Sequence, residues 1–192
     1  MSQNVKMNKR PKPPTTDAKP PRPLTPARAL TKSMNILGHR PLSRKALGER
    51  LKKDGADETV MTQTLDKLES LGILNDRQLA EAVVRSELLG KPTGARLLQF
   101  KLRRKGIPDA LAAQVVSAAV GADAPEDAKE KALEKALSFA RSRLRSMTRL
   151  EPVARKRRLY AAMARRGLGP EVIDKVMREV KAELAAPGSA GL

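Results

Sequence analysis

The stretch LLQFKLRRKGIPDALAAQVV, residues 97–116, runs from one apolar helical pattern through a basic cluster and a glycine into a second. It decides the fold because the chain repeats it, as ALGERLKKDGADETVMTQTL (46–65) and as LYAAMARRGLGPEVIDKVMR (159–178). Aligned on Gly55, Gly106 and Gly167, the apolar positions correspond. Leu51, Leu102 and Met163 stand four residues before the glycines, and Leu47, Leu98 and Leu159 stand eight before. A spacing of i, i+4 marks one face of a helix. Val60, Leu111 and Val172 follow by five residues, and Leu65, Val116 and Met177 by ten, so the second helix repeats its buried face too. Each glycine follows a basic pair or triplet: Lys52 and Lys53; Arg103, Arg104 and Lys105; Arg165 and Arg166. Cations suit the negative end of a helix dipole, and glycine supplies the left-handed residue just past it. The element therefore predicts a helix stop joining two roughly antiparallel helices.

Upstream of each pair lies a further helical pattern, at 27–37, 76–89 and about 125–146. Three helices per unit, three times, predict an all-α tandem array of three-helix repeats, elongated and curved because such small units must stack to bury their cores. The boundaries read as repeats at 27–73, 74–121 and 122–186, between a disordered Pro/Lys-rich tail (1–26) and a frayed end (187–192). Ser43, Asp76, Pro108, Pro125 and Pro170 sit where helix starts are expected. The tail holds seven of the 14 prolines and six Lys/Arg against one Asp, a composition that buries no core. It reads as a solubilising segment or as a basic arm adding non-specific attraction to phosphate.

Composition narrows the function. The chain of 192 residues carries a formal net charge of +18 and 2% aromatics, with no Cys and no Trp. A core of Leu, Ala, Val, Met and Ile favours helices over strands. Without cysteine there are no disulfides, thiolate metal sites or cysteine nucleophiles, which fits a reducing cytoplasm. No apolar run reaches the length of a membrane span. The positive excess makes a polyanion, a membrane surface or an acidic protein the natural neighbour, without choosing among them.

The residues that catalysis would need are missing. His39, the single histidine, lies in LGHRPLS at a helix end, and no phosphate-cradling glycine motif is present. No enzyme activity and no cofactor are expected. Residues 41–74 could be a helix-turn-helix, but NDRQLAEAVVRSELL follows where the strands of a wing would be needed.

LNDRQLAEAVVR (74–85), followed by GARLLQFKLRRKGI (94–107), resembles the signature of the RecX family of recombination regulators. Leu74, Asp76, Ala80, Gly94, Arg96, Leu102, Lys105, Gly106 and Ile107 stand on matching positions, and the flanking units are similar to the family's first and third, so the resemblance covers 27 to about 184. Two departures stand out: Leu79 replaces the usual aromatic, and Ala56 with Asp57 stands where a more apolar turn is common. The resemblance implies a monomeric three-by-three helical protein that binds the RecA recombinase filament, lies in its groove and suppresses its ATPase and strand exchange. The rival reading is a general electrostatic binder of single- or double-stranded DNA through its basic faces; the lack of aromatics argues against base stacking. A membrane adaptor is disfavoured, because no helix pairs a basic face with Trp or Phe anchors.

With Leu98 and Leu102 as the buried direction, Arg96, Phe100, Arg103 and Arg104 turn to the far side of their helix. Phe100 either packs under the next unit or meets a partner. Candidate contacts are these four with Lys101 and Lys105, and in the third unit Arg155, Lys156, Arg157, Arg158, Arg165 and Arg166.

Overall fold

The structure, a computed structural model, describes residues 24–185. Among these described residues ten helices follow in order: α1 Pro26–His39, α2 Arg44–Lys53, α3 Glu58–Ser70, α4 Asp76–Leu89, α5 Ala95–Arg104, α6 Asp109–Val120, α7 Glu126–Arg145, α8 Pro152–Arg165, α9 Pro170–Glu179 and α10 Lys181–Ala185. No strand occurs among the described residues, and no helix there is long and apolar enough to cross a membrane.

Three apolar cores form, one per unit, and they stay separate. Leu47, Leu51, Leu65 and Leu68 centre the first, Leu98, Leu102 and Val116 the second, and Leu159, Met163, Ile173 and Val176 the third. These are the positions four and eight residues before each glycine and on the facing helix, and each fully buried Leu contributes on the order of 2 kcal/mol. Leu79, where the family pattern prefers an aromatic, is still buried in the second core at 7% exposure.

The helix stops form as the sequence predicts. Gly55, Gly106 and Gly167 have φ of 89°, 83° and 73°. Around Gly106 its N–H donates to the Arg103 carbonyl and the Ile107 N–H to the Leu102 carbonyl, at 2.9 and 3.1 Å. This paired return satisfies carbonyls that the helix end leaves open. The same pattern recurs at Gly55 and Gly167. Ser43 and Asp57 cap α2 and α3 through bonds from the Ala46 and Val60 N–H groups, so the departure at Asp57 supplies a cap.

Four details differ from the sequence reading. Asn75, not Asp76, caps α4, taking the Gln78 N–H at 3.0 Å. Leu74, placed at the head of the second unit, is buried in the first core. Leu24, assigned to the tail, is also buried there, at 7% exposure, so the end of that segment belongs to the first unit. The third unit adds the five-residue helix α10. The rest of the tail and residues 187–192 lie outside the described residues.

Candidate interaction surface

The basic turn does more than stop a helix. In the second unit the Lys105 carbonyl accepts a bond from Ser43 Oγ at 2.6 Å; in the third, the Arg166 carbonyl accepts the Gly94 N–H at 2.9 Å. Ser43 and Gly94 each stand twelve residues before the glycine of their own unit, and both carbonyls stand one residue before the glycine of the next. The start of one unit's second helix thus seats on the turn of the following unit, twice in the same register. At the first turn, among the described residues, the Leu24 N–H donates to the Gly55 carbonyl at 3.2 Å. Leu24, just before α1 and buried in the first core, thus covers the first turn.

The family-motif residues of the sequence reading fall on these joints or under them. The Asp76 carboxylate takes the Arg44 N–H at 2.8 Å, tying the start of α4 to the start of α2. Gly106 packs on Ser43 and Gly94 on Gly167. Ala80 and Ile107 are buried in the second core and Leu74 in the first, immediately before α4. Beside the first joint the Arg44 guanidinium binds Asp66 at 2.6 Å and also Glu69. The hydrogen bond to Asp66, with the charges of both acids, raises the Arg44 pKa above the usual guanidinium range. Arg44 is therefore a structural tie.

The predicted contact residues divide. Arg96, Phe100, Arg103 and Arg104 all face outward from α5. Phe100 is 50% exposed with the Arg104 guanidinium 5.9 Å from its ring centre, so it does not pack under the next unit. Arg103 pairs with Asp109 at 2.8 Å, and Lys101 pairs with Glu87 on α4. Lys156, Arg157, Arg158 and Arg165 are exposed. Arg166 lies over Phe139, 5.6 Å from its ring centre, at the second joint. Arg155 is a correction: expected with its neighbours on a binding face, it is buried at 4% exposure, and it stands twelve residues before its unit's glycine, the register of the buried Ser43 and Gly94.

Sequence reasoning missed two cations. Arg40, just past α1, and Lys45 in α2 line a cleft at the first joint with Arg103, Arg104 and Lys105, against a single acid, Glu49. The missed signal was register. Ten residues before the glycines stand Lys45, Arg96 and Arg157, and two residues before stand Lys53, Arg104 and Arg165. All six are exposed, and none forms an ion pair among the described residues. Eight residues on a helix separate the two positions by about 12 Å along its axis. Each unit thus carries the same two outward charges.

Three family models match in succession: the first three-helix domain of RecX at residues 29–68, the second at 75–116 and the third at 129–177. The regulatory protein RecX of Streptomyces coelicolor is 31% identical over 165 residues, covering 85% of this chain and 82% of the relative. The chain belongs to the RecX family. RecX of Prosthecochloris aestuarii is 33% identical over 89 residues, 46% of this chain and 59% of the relative, so that match spans little more than half its length. A crystal structure of RecX from Lactobacillus salivarius superposes with a TM-score of 0.73 at 18% identity, over 82% of this chain and 97% of the other, which shows the shared RecX fold. RecX proteins are named as regulators rather than as enzymes.

Proposed function

We propose that the chain is a negative regulator of the RecA recombinase, binding in the groove of the RecA–DNA filament and suppressing ATP hydrolysis and strand exchange. The observation that carries this reading is the recurrence of the two outward cations in every unit of a RecX-family array. An array whose units repeat one charged pattern is matched to a partner that repeats as well, as a filament does. Inhibition arises from occupancy of the groove, so no nucleophile, metal or cofactor is required of this chain. The α5 face supplies the central contact, with Arg103 and Arg104 against acidic or phosphate groups and Phe100 as an apolar anchor; the exposed α8 cations Lys156, Arg157 and Arg158 extend it.

The test is a reaction containing RecA, single-stranded DNA and ATP. The chain should inhibit hydrolysis well below one molecule per RecA monomer, and Arg103→Glu with Arg104→Glu should relieve that inhibition with helicity unchanged. Inhibition matched by any basic protein of similar charge would defeat the reading and leave only electrostatic binding of DNA.

A further inference from the structure

The two joints are built alike in register but differently in substance. At the second, backbone meets backbone through Gly94 and Arg166, α6 packs on α7, and Lys135 Nζ reaches the Leu88 carbonyl. At the first, the bonds depend on two side chains, Ser43 Oγ to the Lys105 carbonyl and the Arg44 N–H to Asp76, and no helix pair packs across it as closely as α6 on α7. The first joint thus rests on side-chain bonds, and the second on backbone bonds and helix packing. The cleft at that joint draws cations from both sides: Arg40 and Lys45 from the first unit, Arg104 and Lys105 from the second. Glu49 is the one acid in its lining, and none of these four cations has an ion-pair partner among the described residues.

We infer that this cleft is a two-unit clamp for the phosphodiester backbone of a nucleic-acid strand, and that an occupied clamp fixes the angle between the first unit and the rest of the array. Four like charges brought together with Glu49 as the one acid among them repel one another, and an anion shared between the units relieves that repulsion and holds them together. A phosphodiester strand suits the cleft better than an acidic protein surface because its charges repeat regularly. The outward cations that recur in the same register in all three units, Lys45 and Arg104 among them, can follow such a strand beyond the cleft. The inference concerns bare nucleic acid and stands or falls apart from any action on RecA.

The test uses the full chain and a labelled 20-nucleotide oligothymidylate, with no RecA present. Lys45→Glu with Arg104→Glu should weaken binding at least tenfold at low salt and reduce the log–log salt slope by about 1.4, for two phosphate contacts at ~0.7 each. Lys67→Glu with Arg85→Glu changes the net charge equally on exposed residues of the same two units outside the cleft, and should weaken binding far less. Circular dichroism confirms that both variants keep the parent's helicity. Because the chain has no cysteine, spin labels can be placed at Ser70→Cys and Ser142→Cys to span both joints, and at Ser86→Cys and Ser142→Cys to span the second alone. Adding the oligonucleotide should narrow the first distance distribution and leave the second unchanged. Equal loss in the two charge variants, or no narrowing across the first joint, overturns the clamp. Competition by polyglutamate as strong as that by the oligonucleotide at matched charge overturns its assignment to phosphodiesters.

Discussion

Gly94 and Gly167 meet backbone to backbone: a Cβ on Gly94 would fall inside the contact distance of the Gly167 carbonyl oxygen, and one on Gly167 would collide with the Leu97 backbone. Two units of the array are therefore joined where neither residue has room for a side chain.

Gly94→Ala and Gly167→Ala should both destabilise the second and third units, because the atoms in the way are backbone and cannot swing aside. Gly167→Ala also places a side chain at φ 73°, worth about 1–2 kcal/mol by itself. Gly38→Ala, near the end of α1 with nothing within 4 Å, is the matched substitution without a clash and should be neutral or stabilising by up to about 1 kcal/mol. Urea denaturation of the three variants gives the order directly.

Ser43 serves α2 and the first joint with one oxygen, accepting the Ala46 N–H at 3.2 Å and donating to the Lys105 carbonyl at 2.6 Å. Ser43→Ala should cost about 1–2 kcal/mol. The spin-label distances across the first joint should broaden as well. A stability loss without broadening would mean that the cap alone matters.

Phe100→Ala should change stability by less than about 0.5 kcal/mol, since the ring is half exposed, while Leu98→Ala two residues away should cost about 2–5 kcal/mol. RecA inhibition measured on the stable Phe100 variant then reports contact alone. Full inhibition by that variant would remove Phe100 from the proposed surface.

The Leu24 side chain is buried in the first core, so Leu24→Ala should lower the melting temperature of the first unit, with a cost of about 2 kcal/mol. Removing residues 1–22 should not. If both changes behave alike in thermal melts, the Leu24 side chain does not support the first core.

The Asp127 carboxyl is held below the usual carboxylate range by its hydrogen bond from Lys131. A depressed folded pKa stabilises above the unfolded pKa and is lost as the pH falls through the folded one. Asp127→Asn should therefore melt below the parent at neutral pH and converge with it as acid protonates the Asp127 carboxyl in the folded as well as the unfolded chain. A gap that persists in acid would point to helix capping or dipole effects instead.

Helices, turns and the threefold repeat were legible in the sequence because they follow from local chemistry. The i, i+4 spacing of Leu47 and Leu51, Leu98 and Leu102, and Leu159 and Met163 sets each buried face, and the glycine after a basic pair sets each stop. The outward direction of Arg96, Phe100, Arg103 and Arg104 followed from helical geometry alone. The sequence by itself thus determined the units and the faces of their helices.

How the units meet was decided only in the tertiary structure. Ser43 with Lys105 and Gly94 with Arg166 are partners about sixty to seventy residues apart, and no local propensity selects them. That geometry gathered Arg40 and Lys45 with Arg104, while packing beyond the reach of local pattern buried Arg155 and brought Leu24 out of the tail into the first core. A helix stop can be read from one turn of chain, because the hydrogen bonds it satisfies are its own; a joint depends on backbone and charge that two distant turns bring to the same place.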